Sequence, residues 1–128
     1  MTAPPGADTV WTDVCALDAL VPERGAAALV EGAQVALFRL ADESVLAVQN
    51  RDPFAGANVL ARGIVGSAAA VPTVTSPMHK QVWDLRTGTC LDDAGKTARD
   101  ASGDLATWCV AVREGRVLVA SPRTRRPA

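Results

Sequence analysis

A chain of 128 residues can bury a core of its own without disulfide or metal staples. Hydrophobic residues make up 48%, charged residues 21% and the net charge is −1, a balance that excludes a dedicated nucleic-acid binder, because phosphate neutralisation needs a basic surface. The apolar segments are short and broken by charge or glycine, so no helical membrane span is expected.

Met1 to Asp8 reads as a polar, proline-containing arm, and no basic-apolar leader opens the chain, so a cytoplasmic location is expected. Val10 to Val14 reads as a first strand, followed by a turn of helix or loop at Leu17 to Leu20. Ala27 to Val30 and Gln34 to Leu40 form a hairpin around Glu31-Gly32, with the glycine supplying a positive φ. Ala41-Asp42-Glu43 makes the next turn and Val45 to Val48 the next strand, which completes an antiparallel meander. From Asn50 to Gly66 the period is broken by Pro53, Gly56, Gly63 and Gly66, and the stretch reads as an ordered loop.

Val71 to Thr75 then leads into Ser76-Pro77. Gln81 to Asp84 pairs with Thr89 to Leu91 across the turn Arg86-Thr87-Gly88. Ala94 to Gly103 is polar and unpatterned, as expected of a mobile loop. Thr107 to Arg113 and Arg116 to Ala120 close a last hairpin around Glu114-Gly115. Residues 121–128 carry Arg123, Arg125 and Arg126 with two prolines and read as a flexible basic tail. The organisation expected is thus an arm over 1–8, a domain over 9–120 and a tail over 121–128. Trp11 and Trp108 occupy strand positions and are expected in the core, whereas Met78 and Trp83 are expected to stand exposed at a hairpin tip.

Cys15, Cys90 and Cys109 form no Cys-x-x-Cys pair and match no common zinc spacing. They could converge with His79 on a metal, but the favoured reading is three reduced thiols acting as small apolar residues. No glycine-rich loop has Walker or dinucleotide spacing. Asp52, Ser76 and His79 together could form a hydrolytic set, which would need a hydrogen-bonded chain and an oxyanion hole. Ser76 precedes Pro77 and lacks the glycines of a nucleophile elbow.

Two segments are specific. Ser76-Pro77-Met78-His79-Lys80-Gln81-Val82-Trp83-Asp84-Leu85-Arg86-Thr87-Gly88 resembles the second ligand loop of Rieske proteins, Cys-Pro-x-His-Gly followed by an aromatic, Asp, Leu, a variable residue, Thr and Gly. The first loop, Cys-x-His in that family, stands here as Asp52-Pro53-Phe54. Of four ligand positions, Asp52, Phe54, Ser76 and His79, only His79 keeps its residue type. A Rieske centre needs two thiolates and two imidazoles, and Asp52 and Ser76 offer hard oxygens to a soft site while Phe54 offers nothing. No cluster or other cofactor is therefore expected in the chain, and packing between the loops, with Asp52 bonded to backbone amides or to Arg51 or Arg62, is expected in its place.

The resemblance extends to Trp11-Thr12-Asp13-Val14-Cys15, Gln34 to Arg39, Asn50 to Phe54 and Val59 to Gly63. Together these are similar to the small subunits of assimilatory NAD(P)H nitrite reductase. That resemblance implies an all-β, Rieske-like antiparallel sandwich or barrel, with a small loop-and-hairpin subdomain in place of the cluster-binding one; its loops are 50–66 and 76–88. It implies a non-catalytic subunit of an enzyme of nitrate assimilation that converts nitrite to ammonium. The partner would be a large subunit carrying FAD, sirohaem and an iron–sulfur cluster, with no nucleic acid or membrane involved. Phe54, Met78, His79, Lys80 and Trp83 become the docking candidates, with the basic tail a weaker one. Two alternatives are a Rieske-type ferredoxin that carries electrons itself and an interaction module of another oxidoreductase such as an oxygenase.

Overall fold

The computed structural model describes residues 9–122. The arm at 1–8 and the arginines at 123, 125 and 126 lie outside the described residues. Among the described residues the elements are strands, apart from two single 3₁₀ turns at Leu17–Ala19 and Leu60–Arg62.

β1 (Thr9–Ala16), β2 (Gly25–Val30), β3 (Ala33–Arg39) and β4 (Val45–Gln49) follow the order expected from the apolar runs. β2, β3 and β4 pair as an antiparallel meander. The β2–β3 turn places both Glu31 (φ 49°) and Gly32 (φ 86°) in the left-handed region, which matches the twist of the flanking strands. β5 (Arg51–Asp52) and β6 (Ala57–Asn58) then form a two-residue ladder inside the first loop. β7 (Ile64–Ala68), β8 (Val71–Thr75), β9 (Val82–Asp84) and β10 (Cys90–Asp92) build a separate sheet in the order β10-β9-β8-β7. β11 (Thr107–Trp108), β12 (Val110–Arg113) and β13 (Arg116–Pro122) end the chain of strands. β11 joins the central sheet beside β4, while β12 joins β13 and β1 in a third sheet. The stretch read as one strand over Thr107 to Arg113 therefore divides at Cys109, where the chain crosses from one sheet to another.

The central sheet separates two cores, and β3 shows why. Side chains alternate across a strand, so Val35 and Leu37 face one side and Ala36 and Phe38 the other. Val35 and Leu37 pack with Leu20, Val30, Val45, Val117 and Val119. Ala36 and Phe38 pack with Val48, Leu60, Val74, Trp83 and Leu85. A strand covered on both faces needs a continuous apolar run, and Val35-Ala36-Leu37-Phe38 is one. The second core is what ties the loop-bearing sheet β7–β10 to the rest of the molecule.

Four expectations change. Residues 64–68 are a strand, β7, where broken periodicity suggested loop as far as Gly66; pairing with β8 stabilises a segment with no pattern of its own. Trp11 is 37% exposed rather than buried, because β1 lies at the edge of its sheet. Trp83 is 0% exposed rather than displayed at a tip. The segment 94–103 has no regular structure, yet its backbone and side chains bond to the first loop, so it is anchored rather than mobile.

Gly88 occupies the tightest place in this frame. Its φ is +79°, and a Cβ built there would lie 2.0 Å from the carbonyl oxygen of Leu105. Backbone strain and overlap with a backbone atom then act together. We expect Gly88→Ala to lower unfolding free energy by about 2–4 kcal/mol, measured by denaturant titration; a loss below ~0.5 kcal/mol would show that the turn opens freely.

Candidate functional site

The first loop is closed at its base by Asn50. Its side-chain amide donates to Gln34 Oε1 at 3.1 Å, and its Oδ1 accepts from the backbone N–H of Ala61 at 2.8 Å. The Leu60 N–H also donates to the Asn50 carbonyl. These bonds fix both ends of a loop whose tip is Asp52 to Gly56. Within the tip, the Asp52 carbonyl accepts from the Gly56 N–H at 2.7 Å, and Asp52 Oδ1 accepts from the N–H groups of Phe54 (2.8 Å) and Ala55 (3.1 Å). The carboxylate thus caps its own turn.

The second loop turns between β8 and β9, with the Ser76 N–H donating to the Gln81 carbonyl at 2.8 Å. Ser76 Oγ accepts from the Met78 N–H at 3.1 Å. The residues that follow are each used by the fold. The Trp83 indole N–H donates to the Gly103 carbonyl at 2.8 Å. Asp84 Oδ1 accepts from the Arg86 N–H at 2.8 Å, and the Gly88 N–H donates to the Asp84 carbonyl. Burial pushes the Asp84 carboxyl upward, but bonds from Arg86 outweigh it and hold it below the usual carboxylate range. Leu85 is buried in the second core. The Trp-Asp-Leu-x-Thr-Gly run is thus a turn-building and core-filling sequence.

The two loops meet at the positions where a Rieske protein carries its thiolates. Ser76 Oγ donates to Asp52 Oδ2 at 2.5 Å, and both residues are fully buried. The carboxylate therefore accepts three hydrogen bonds, which is how a buried charge becomes tolerable. Phe54, 8% exposed, sits with its ring centroid 6.0 Å from that of Trp83 at a tilt of 55°, a favourable edge-on aromatic arrangement. Pro77, Met78, His79 and Lys80 are exposed beyond this buried pair, Met78 to 50%.

These placements allow the chemistry of the four ligand positions to be compared with what each reading needs. Asp52 and Ser76 bond directly to each other, so their oxygens have no gap between them for iron. Phe54 has no donor atom and fills its space with a ring. The donor set does not fit a [2Fe-2S] cluster. Nor does it make a hydrolytic triad: the serine proton is directed at the carboxylate with no imidazole between them, and both groups are shut away from solvent. Arg51 and Arg62 play no part in holding Asp52. Of the docking candidates, Met78, His79 and Lys80 are displayed; Phe54 and Trp83 are buried and are corrected to core residues.

A third segment completes the site, and its members carry no signal of their own in the sequence. The N–H groups of Arg99 and Asp100 both donate to the Pro53 carbonyl, at 2.8 and 3.1 Å. Arg51 grips Asp100 through two parallel bonds of 2.9 Å and donates to the Gly56 carbonyl at 3.0 Å. Asp100 is thereby held below the usual carboxylate range by the Arg51 guanidinium. Forty-nine residues separate the partners, and only the three-dimensional path joins them. The cysteines do not converge: among the described residues none of the three forms a disulfide, and burial pushes the Cys15 and Cys90 thiols up. Among the described residues no group of three or more His, Cys, Asp or Glu is placed to hold a metal, and no helix is long and apolar enough to cross a membrane.

Comparison with known proteins places this geometry. Residues 10–120 match the family described as the Rieske-like [2Fe-2S] domain. The chain is 39% identical over 84 residues to the nitrite reductase (NADH) small subunit of Escherichia coli K12, covering 65% of this chain and 78% of that one. It is 38% identical over 109 residues to a part of the nitrite reductase [NAD(P)H] large subunit of Klebsiella oxytoca, covering 85% of this chain but spanning only 11% of that protein's length. A solved structure of an NADH-dependent nitrite reductase small subunit from Mycobacterium tuberculosis superposes with a TM-score of 0.78 at 47% identity, covering 88% of this chain and 96% of that one.

Two outcomes test the site. Asp52→Ala and Ser76→Ala should each destabilise the fold by about 1–3 kcal/mol, since each leaves buried polar groups without partners. The double variant should cost less than their sum by about 1–2 kcal/mol; simple additivity in denaturant titrations would mean that the bond does not link the loops. The Asp100 tie has a pH sign. A folded-state pKa depressed below the unfolded value of about 3.9 gives stability that is complete above that value and lost as pH falls through the folded one. Amide exchange at Arg99 and Asp100 should therefore accelerate relative to the core amides below about pH 4, and Asp100→Asn should remove that dependence. Unchanged relative protection down to low pH would contradict it.

Proposed function

We infer the function of this chain from one premise: it belongs to the Rieske-like [2Fe-2S] domain family and, within it, to the small subunits of nitrite reductase. The proposal is that it is the accessory subunit of a cytoplasmic, assimilatory NAD(P)H-dependent enzyme that reduces nitrite to ammonium. It works without a cluster of its own. FAD, sirohaem and an iron–sulfur centre belong to the large subunit, and this chain supports the assembly or activity of that partner.

The observation that carries the reading is the bonded, buried pair Asp52–Ser76 with Phe54 against Trp83. A domain whose ligand loops are stapled by a carboxylate and a hydroxyl has no electron carrier, so its contribution goes through its surface. That favours an accessory role over a ferredoxin, which carries electrons itself. The Klebsiella relative supports the choice of partner: a stretch similar to this chain lies within a large subunit there. A domain that is part of the large chain in one protein is a reasonable docking partner for it in another.

The exposed tip Pro77 to Lys80 is the docking element. It projects from the second loop, closed at its base by the Ser76 N–H on the Gln81 carbonyl and held to the first loop by the Ser76–Asp52 bond, and an apolar anchor on a rigid support binds at low entropic cost. Met78 is the half-exposed apolar group, flanked by His79 and Lys80.

Co-expression of this chain with its large subunit is the direct test. Nicotinamide-dependent nitrite reduction should be higher with the chain than without it. Met78→Asp combined with Lys80→Glu should weaken co-purification about tenfold or more while leaving the melting curve of the isolated chain unchanged. Equal activity with and without the chain would refute the accessory role, and unchanged binding by the tip variant would refute the placement.

A further inference from the structure

We propose that the open edge of β7 receives an added strand: an extended, largely apolar segment of the large subunit whose acidic end lies beside Arg24 and Arg62. This rests on the subunit reading above and extends the contact beyond the tip.

β7 is the outermost strand of its sheet and pairs with β8 alone, in unbroken register from Ile64↔Thr75 to Ala68↔Val71. The direction of its free groups follows from Pro72, which lies opposite Ser67. Proline has no N–H, and the Pro72 carbonyl accepts from the Leu85 N–H at 2.9 Å, so the polar side of Pro72 faces away from β7. Hydrogen-bonded and non-bonded pairs alternate along an antiparallel ladder. Ser67 and, two residues earlier, Val65 therefore point their N–H and C=O groups outward, away from β8. Among the described residues neither makes a backbone bond on that side.

Exposed edges invite pairing, and proteins blunt them with charge, proline, bulges or a covering segment. Ile64-Val65-Gly66-Ser67-Ala68 has no charge, no proline and no bulge, and Ile64 is 61% exposed. Alongside the strand lie two adjoining hollows of about 440 and 290 Å³ that share Glu23 and Val65. Arg24 and Arg62 border the first, and Leu40, Asp42 and Pro72 the second.

Charge gives the occupant a direction. Neither Arg24 nor Arg62 makes an ion pair or a side-chain hydrogen bond among the described residues, and Glu23 is the single carboxylate beside them. At the far end the Asp42 carboxylate is already taken by the N–H and hydroxyl of Ser44. Those bonds come from neutral donors and leave Asp42 negative, so the charge along the strand runs from positive at the Ile64 end to negative at the far end, and a carboxylate on the incoming segment belongs at the Ile64 end. That same end abuts the tip, since Ile64 pairs with Thr75, the residue before Ser76. Ile64 and the two arginines border one hollow.

Amide exchange of the isolated chain and of its complex with the large subunit tests this, read at Val65 and Ser67. Both amides should exchange rapidly in the isolated chain and at least about tenfold more slowly in the complex. Ser67→Pro, which removes an outward N–H that β8 does not use, and Arg24→Glu with Arg62→Glu should each weaken the complex about tenfold or more. If Ser67→Pro destabilises the fold, the exchange measurement and the arginine variant still decide. A complex of normal affinity with both amides unprotected would overturn the inference and leave the subunit reading standing. Absence of any complex would overturn that reading and this inference with it. A dimeric isolated chain with both amides already protected would overturn the inference in favour of a second copy as the occupant.

Discussion

The hydroxyl of Ser76 reaches across from one loop to donate to a buried carboxylate oxygen of Asp52 on the other, and the geometry of this end of the molecule follows from that bond. Asp52 and Ser76, 24 residues apart, bring the two loops into direct contact. A carboxylate buried completely is costly unless its oxygens are bonded. Here the amides of Phe54 and Ala55 take one oxygen and Ser76 the other. The same three bonds that make the charge tolerable also shape the first turn and tie it to the second loop. Removing one partner therefore strands the others, which is why the pair behaves as a unit.

Around that bond the substitutions at the ligand positions are mutually consistent. Where thiolates would hold iron, oxygen bonds to oxygen; where an imidazole would reach inward, Phe54 packs on Trp83. The segment 98–103 closes over the site from a third direction through Pro53, Arg51 and Gly103. A scaffold of this kind keeps its tip in one position through hydrogen bonds and packing of its own side chains. The exposed tip and the uncapped edge of β7 are then what the fold presents to a partner, and both lie on the loop-bearing sheet.

Much of this was legible in the sequence where a local pattern carried it. The apolar run within Gln34 to Leu40 declares a strand, and Glu31-Gly32 declares its turn. Asp52, Ser76 and the Trp83 to Gly88 motif declare two loops that belong together. What stayed hidden depended on contacts distant along the chain. Trp83 looks like a tip residue because its hairpin is short, yet Gly103, 20 residues on, supplies the carbonyl that its indole needs. Phe54 has the same history: it is left 8% exposed, with Trp83 and Gly103 against its ring. β7 has no alternation because β8, rather than amphipathicity, makes it a strand. Asp100 is one acid among several in a polar stretch until Arg51 is seen opposite it.

The central claim is that a carboxylate–hydroxyl contact stands where related folds place a cluster. Its most direct test is the iron and acid-labile sulfide content of the chain purified under anaerobic conditions, with its visible spectrum and its unfolding curve in the presence of a strong chelator. A colourless protein with neither element in stoichiometric amount, unfolding identically with and without chelator, is the predicted result. Iron and sulfide in equal, stoichiometric amounts with an absorbing visible band would contradict it.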